Sequence, residues 1–286
     1  RIGPEILKNV ADSYRRLRNT MRFILGNLND FNESEKIDYS EMPELEQWVL
    51  HRLAELDAVV RDGYAAYDFQ GVFSQVFQFA TVDLSSFYFD IRKDVLYCDD
   101  VNGTKRKAAR TVLDILFHRL TTWLAPMLCF TMEDVWLQRN HENESSIHLV
   151  DIPETSSDWL NGKVASKWEA IRNVRRVVTG AIEVERTAKN IGSSLEAAPE
   201  VYFNSNVDLK SLSETVDFAD ICITSDIKLI DGKPSAQGFW LDDVPDIEVI
   251  FKKADGEKCM RCWKINSQVG KQKHDGCCQR CSDALG

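Results

Sequence analysis

The sequence lacks several features that would place it in a familiar functional class. It has no apolar run long enough to span a bilayer, so it predicts no membrane segment. It also has no glycine-rich phosphate-binding loop, no serine, histidine and aspartate set, and no cluster of metal-binding carboxylates. The adjacent acids Asp99-Asp100 and Asp242-Asp243 are typical of solvated turns. From these residues alone we expect a binding protein rather than an enzyme.

What the chain does have is two Cys-x-x-Cys pairs in its last segment. Cys259 and Cys262 form the first pair, and Cys278 and Cys281 form the second. Their spacing matches a four-thiolate zinc site, in which each pair presents two sulfurs from one tight turn. Residues 254–286 are too few and too polar to form a core, so we expect one zinc ion to fold them.

Other interpretations of these cysteines are weaker, although two ligand alternatives stay open. A redox Cys-x-x-Cys motif needs a strand-to-helix junction that is not evident, and disulfides need a secretory signal that is not visible. Either Cys277 or His274 could replace one of the four ligands. We prefer Cys278 because it restores the two-residue gap of the first pair.

The charge is unevenly distributed along the chain. The 286 residues carry a net charge of -10, which disfavours a nucleic-acid partner at first sight. Residues 1–22 and 252–286, however, each contain more basic than acidic side chains. Because local patches decide phosphate binding, two basic ends on an acidic body remain compatible with a nucleic-acid ligand.

Hydrophobic periodicity predicts a mainly α protein, an antiparallel helical bundle followed by a small α/β domain and a zinc knuckle. Predicted helices cover residues 4–28, 43–67, 69–97 and 105–124, with a short one after Thr131. The inward stripe of the first is Ile6, Leu7, Val10, Tyr14, Leu17, Met21, Ile24 and Leu28. A long helix over residues 163–189 precedes short β-like runs at 195–203, 220–224, 237–241 and 247–252. The predicted domains are a bundle (1–140), a linker (141–162), the long helix with an α/β domain (163–253) and a zinc module (254–286).

Several segments together resemble the anticodon-binding part of the bacterial isoleucyl-tRNA synthetase family. ADSYRRLRNT at residues 11–20 is similar to the opening helix of that part, and GSSLEA at 192–197 is similar to its following domain. GEKCMRCW at 256–263 and CQRC at 278–281 resemble the C-terminal zinc module of the family. Further similar segments are AYDF at 66–69, SFYFD at 86–90 and WLAP at 123–126.

This resemblance implies a tRNA-binding fragment of an isoleucine–tRNA ligase. The full enzymes of the family are cytoplasmic class I synthetases that join isoleucine to its tRNA with ATP. Their Rossmann catalytic domain, where ATP and Mg²⁺ bind, and their editing domain have no counterpart in this sequence. The chain is therefore expected to be inactive alone, to bind the anticodon stem-loop of isoleucine tRNA, and to work with those domains as a monomer, away from membranes.

Basic and aromatic side chains are the candidates for contacting tRNA, because guanidinium groups bind phosphates and unstacked bases stack on flat groups. Arg15, Arg18 and Arg22 are spaced to share one helical face. The other candidates are Arg172, Arg175, Arg176 and Trp263. Trp263 could instead simply cover the zinc knuckle. No motif identifies the residues that read anticodon bases.

Two further interpretations come from other classes of protein. One is a DNA-repair glycosylase, whose C-terminal zinc finger resembles this tail, although residues 1–4 do not supply its catalytic N-terminus. The other is a structural helical scaffold whose basic ends bind acidic partners. Steep loss of affinity with salt would distinguish nucleic-acid binding from a purely structural zinc staple.

Overall fold

The computed structural model describes residues 3–140, 145–204 and 209–286. The chain divides into two compact units. The first unit comprises residues 1–96 and 102–161, and the second comprises residues 97–101 and 162–286. The four domain boundaries expected from the sequence remain a prediction.

Long helices build the first unit, which confirms the mainly α class. Their bounds are α1 Pro4–Asn27, α2 Glu44–Ala65, α3 Phe69–Gln78, α4 Phe89–Cys98, α5 Thr104–Leu124 and α6 Cys129–Asn140, with the last two residues of α4 assigned to the second unit. Pro4 opens α1, where a missing backbone N–H costs nothing. Helix α5 is buried on almost every side over residues 108–124, as expected for the central helix of a bundle.

The first half of α1 departs from the expected inward stripe. Leu17, Met21 and Ile24 are buried as predicted. Ile6, Leu7 and Val10 are instead more than half exposed. Periodicity identified the correct helical face, but it could not show that the helix extends beyond the residues that cover this face.

A π-helical segment lies in the middle of the predicted 69–97 helix. Residues Phe79–Tyr88 join α3 to α4 without leaving the helical path. The hydroxyl of Ser86 donates to the carbonyl of Thr81, five residues earlier, over 2.8 Å. The helix is therefore confirmed, but its wider winding is a feature that hydrophobic periodicity does not signal.

A charged pair is buried beneath this segment. Arg92 donates from Nε and from NH2 to the two carboxylate oxygens of Glu46, each over 2.6 Å. The Tyr88 hydroxyl donates to the same carboxylate over 3.0 Å. These contacts join α2 to α4 and satisfy polar groups that water does not reach.

Residues 145–161 pack against helices of the first unit. Glu133 accepts hydrogen bonds from the Ser146 hydroxyl and the Ile147 backbone, both over 2.9 Å. Arg61 donates to the carbonyl of Pro153 over 2.7 Å. Residues 147–149 and 157–159 form single 3₁₀ turns.

The second unit packs a long helix, α7 (Gly162–Thr187), on a mixed four-stranded sheet. Its strands are β1 Glu200–Phe203, β2 Lys228–Asp231, β3 Phe239–Leu241 and β4 Val244–Ile250, in the order β2-β1-β4-β3. β1 is parallel to β2 and antiparallel to β4. A Cβ added at Gly180 would lie 2.6 Å from the Phe239 ring, so α7 approaches β3 where the helix has no side chain.

One predicted strand, residues 220–224, is wrong. After the short helix α8 (Leu209–Ser213), residues Phe218–Cys222 form helix α9. The Asp217 side chain accepts from the backbone N–H groups of Ala219 and Asp220, and Ile223 ends the helix at a left-handed φ of 56°. Capping at both ends outweighs the β propensity of this isoleucine-rich run. Strand β2 was missed, whereas β1, β3 and β4 lie within or overlap the other predicted runs.

The last segment of the second unit contains the hairpin β5 (Glu257–Lys258) and β6 (Ile265–Asn266), followed by helix α10 (Gln279–Asp283). Over the described ranges of the chain, no helix combines the length and the hydropathy needed to cross a membrane.

Candidate metal centre and nucleic-acid interface

Two tight turns bring the cysteine pairs together in the second unit. The first turn follows β5, where the backbone N–H of Cys259 donates to the carbonyl of Lys264 over 2.9 Å. The second pair lies at the start of α10, for which Cys278 is the residue before the first helical position. Each turn therefore directs two thiols toward one point, as the Cys-x-x-Cys spacing predicts.

The ligand atoms of Cys259, Cys262, Cys278 and Cys281 all lie within 4.8 Å of one another, and all four residues are buried. The sulfurs of Cys262 and Cys278 are 3.7 Å apart. Thiolates about 2.3 Å from a tetrahedral zinc ion have sulfur–sulfur edges of about 3.8 Å. The donor set and its spacing therefore fit Zn²⁺.

The four thiols do not share one electrostatic environment. Burial raises the pKa of Cys259, but backbone N–H groups, including that of Cys278 at 3.3 Å, outweigh it and lower the pKa to about 6. Burial raises the pKa of Cys262 to about 11 and also raises that of Cys281. Of these three thiols, Cys259 therefore ionises most readily, whereas Cys262 and Cys281 need a cation beside them to become thiolates at neutral pH.

The two alternative ligands lie outside this group of four. Cys277 is buried, yet it is not a member of the group. Nδ1 of His274 lies 3.2 Å from the Ser282 hydroxyl. The set of Cys259, Cys262, Cys278 and Cys281 stays a prediction, with Cys277 and His274 as the alternatives in the same segment.

Residues 97–101 of the second unit pack against the first cysteine turn. Arg261 donates to the carbonyl oxygens of Cys98 and Tyr97, and the Cys98 thiol donates to the Arg261 carbonyl over 3.6 Å. Arg280 pairs with Asp99 over 3.2 Å, and the Asp99 side chain is only 18% exposed. The expectation that Asp99 is a solvated turn residue is therefore wrong, because the Arg280 guanidinium takes the place of water.

Trp263 projects from the first turn. Its backbone has a left-handed φ of 67°, and its side chain is 59% exposed. The Lys258 ammonium lies 5.4 Å from the centre of the ring. A flat ring and a cation thus lie together on the surface beside the cysteine cluster.

The three candidate arginines of α1 lie in different surroundings. Arg15 pairs with Asp12, one turn earlier, over 3.0 Å. Arg18 and Arg22 are exposed and line a groove with residues of α6. Among the residues that the structure describes, neither guanidinium has an ion-pair or hydrogen-bond partner.

This groove has a volume of about 460 Å³ and is called the arginine groove below. Its lining includes Tyr14, Arg18 and Arg22 of α1 and Phe130, Asp134 and Gln138 of α6. The Tyr14 hydroxyl lies 3.1 Å from that of Thr131, which holds the two helices together at one end.

Phe130 is a groove residue that sequence reasoning did not single out. Its side chain is 93% exposed, more than any other large hydrophobic side chain that the structure describes. The spacing of Phe130, Asp134 and Gln138, four residues apart, could have placed them on one face. Nothing in the sequence, however, showed that this face points away from the core.

The three arginines of α7 are less available than their sequence suggests. Arg176 donates to Asp243 over 2.8 Å. Arg172 and Arg175 are half-buried and have interaction partners within the structure. The arrangement does not bring these three together as one open row of cations.

The chain is similar to known proteins over its whole length. A family model described as the anticodon-binding domain of tRNA ligase matches residues 46–202. The chain is 59% identical over 287 residues to an isoleucine–tRNA ligase of Ruegeria pomeroyi, with 100% of the chain and 29% of that protein covered. It is 51% identical to the isoleucine–tRNA ligase of Agrobacterium fabrum, with 94% of the chain and 28% of that protein covered. It is 49% identical to the isoleucine–tRNA ligase of Bradyrhizobium diazoefficiens, with 94% of the chain and 27% of that protein covered. The chain thus spans less than a third of the length of these relatives.

Proposed function

Because this chain belongs to the anticodon-binding domain family of tRNA ligases, we propose that it binds the anticodon stem-loop of isoleucine tRNA. The observation that carries this proposal is 59% identity to an isoleucine–tRNA ligase over the whole chain. In the full enzyme, this contact would hold the tRNA so that isoleucine can be attached to it with ATP. The chain itself carries out no chemical step.

The proposed division of labour follows from the chemistry of RNA. Guanidinium groups neutralise phosphates and set the register, whereas unstacked bases are recognised by stacking and by their edges. Arg18 and Arg22 suit the first task because nothing in the described structure neutralises them. Trp263 suits the second because its ring is exposed. Arg15, Arg172, Arg175 and Arg176 would have to leave or share their present partners to contact phosphate.

We further propose that Cys259, Cys262, Cys278 and Cys281 hold one zinc ion. Bound zinc would stabilise the thiolates and fix the two turns against each other, which is a structural role. The spacing of the sulfurs supports this proposal. ATP and Mg²⁺ would bind only in the catalytic part of the full enzyme, so isolated chain should show neither activation of isoleucine nor editing.

The family also suggests where and how the protein works. We propose a cytoplasmic protein that acts as a monomer together with the catalytic and editing domains of the same polypeptide. Its partners would be tRNA and those domains, with no membrane involved.

The test is binding of the zinc-loaded chain to isoleucine tRNA and to the same tRNA with a swapped anticodon, each at two salt concentrations. We expect tighter binding to the isoleucine anticodon and steep weakening with salt, because bound phosphates release counterions. Equal weak binding to both tRNAs would reduce the role to phosphate contacts. No binding by folded, zinc-loaded chain would contradict the proposal and favour a scaffold.

A further inference from the structure

The position of Phe130, rather than its exposure alone, makes the arginine groove unusual. Single exposed apolar side chains are common on protein surfaces and need no explanation. Phe130, however, is 93% exposed beside two arginines that lack partners in the described structure. A flat apolar ring and free guanidinium groups at one groove are the combination that binds single-stranded nucleic acid.

The α1 side of the groove carries the positive charge. Arg18 and Arg22 are four residues apart, so both side chains rise from the same face. Arg15, one turn earlier, is already paired with Asp12. The positive charge available to a ligand is therefore concentrated at Arg18 and Arg22.

The α6 side of the groove carries groups suited to a base. Asp134 and Gln138 follow Phe130 at intervals of four and line the same groove. A carboxylate accepts hydrogen bonds, and an amide both donates and accepts, which are the groups that read the edges of unstacked bases. Asp134 would repel a phosphate, so a nucleotide would place its phosphate toward α1 and its base toward α6.

We propose that the arginine groove binds one unstacked nucleotide of the anticodon loop. The base stacks on Phe130, its edge faces Asp134 and Gln138, and its phosphate contacts Arg18 and Arg22. The groove volume of about 460 Å³ lies within the range of about 300–1,000 Å³ that is usual for small-ligand sites. This inference rests on the proposed tRNA-binding function and names a site for it.

The first experiment measures binding of a labelled RNA hairpin, the anticodon arm of isoleucine tRNA, to the chain and to Phe130→Leu. Leucine keeps the apolar character but removes the ring, and the exposure of Phe130 means that folding is unaffected. We expect at least about tenfold weaker binding, because stacking on an aromatic ring contributes strongly to affinity. Phe130→Tyr keeps a ring and should bind like the unsubstituted chain.

Hairpins with one abasic loop position at a time identify the stacked base. Removing the base that stacks on Phe130 should weaken binding to the unsubstituted chain by about tenfold. The same removal should weaken binding to Phe130→Leu little further, because the substitution and the abasic position delete the same stacking contact. Arg18→Gln and Arg22→Gln should each lower the salt slope by about 1. Arg16→Gln is the matched control, since Arg16 is exposed on the same helix but does not line the groove.

The outcomes separate the site from the function. The hairpin could bind the unsubstituted chain and Phe130→Leu equally well, with every abasic hairpin giving the same equality. In that case the groove does not hold a nucleotide, although the proposed tRNA binding is still supported. A groove covered by another part of the full enzyme would give that same result. If the unsubstituted chain does not bind the hairpin, both the site and the proposed function are overturned.

Discussion

Arg92 and Glu46 carry opposite charges in a part of the helical bundle that water scarcely reaches. Their side chains are 5% and 0% exposed, and the guanidinium makes two hydrogen bonds to the carboxylate. The Tyr88 hydroxyl also donates to Glu46, and burial raises the pKa of Tyr88 well above its usual value. Tyr88 therefore stays a neutral donor at physiological pH. The buried Glu46 carboxylate is stabilised only while both of its donors, Tyr88 and Arg92, are present.

We predict that Arg92→Met destabilises the bundle by about 3–5 kcal/mol, because it leaves the Glu46 carboxylate buried without its cation. Urea denaturation measures the loss of free energy of unfolding, and hydrogen exchange measures the local loss of protection in α2 and α4. Lys93→Met is the matched control on the next residue. The Lys93 side chain is 50% exposed and pairs with Asp90 only at the surface, so its removal should cost about 1 kcal/mol or less. Equal effects of the two substitutions would contradict this account.

At the scale of elements, Gly180 decides how closely helix α7 packs on strand β3. A Cβ at this position would lie 2.6 Å from Cε1 and 2.8 Å from Cζ of Phe239. Gly26 in α1 has no atom within 4 Å of the corresponding point. The two helical glycines therefore differ in what an added methyl group would meet, and they offer a controlled comparison.

We predict that Gly180→Ala destabilises the α7–β3 contact by about 1–3 kcal/mol through overpacking, despite the better helix propensity of alanine. Hydrogen exchange should become faster in β3 and in the middle of α7. Gly26→Ala should instead slow exchange in α1, which corresponds to a stabilisation of up to about 1 kcal/mol, since only helix propensity changes there. Gly180→Ala with unchanged exchange in β3 would show that the Phe239 ring moves aside without cost.

The elements also show what the sequence could and could not predict. Helices α1, α2 and α5 follow from the spacing of apolar residues, and the paired cysteines follow from their own spacing. Phe130 and Ile6 are exposed, and periodicity alone does not show which turns of a helix are covered by neighbouring elements. Helix α9 depends on the Asp217 cap, and the π-helical segment depends on packing of the whole bundle.

At the scale of the whole molecule, net charge is a poor guide to the partner. The chain carries -10 overall, yet many of its acids neutralise basic groups of the protein itself. What matters for RNA is which cations are left over, and Arg18 and Arg22 are exposed without partners in the described structure. An acidic protein can therefore still offer a local phosphate-binding surface.

The cysteine module, which comprises residues 254–286 and the packed residues 97–101, has almost no apolar core of its own. Its buried cluster consists of Cys98, Cys259, Cys262, Cys277, Cys278, Cys281 and a single valine, Val269. Because so little apolar area offsets the entropy of ordering the segment poorly, we expect a bound metal to supply the difference. The helices of the first unit, in contrast, bury leucine, isoleucine, phenylalanine and tryptophan side chains among themselves.

We therefore predict that a strong zinc chelator abolishes hydrogen-exchange protection in residues 254–286 and 97–101, whereas the far-ultraviolet helical signal changes little. Cys278→Ser should have the same effect even with excess zinc, because it removes one of the four clustered thiols. Cys277→Ser, on the neighbouring buried thiol, should retain about one zinc per chain by elemental analysis and keep the protection. If Cys277→Ser lost the metal and Cys278→Ser kept it, the ligand set would be Cys259, Cys262, Cys277 and Cys281. Unchanged protection after complete removal of metal would instead mean that the contacts of Arg261 and Arg280 with residues 97–99 suffice to fold the module.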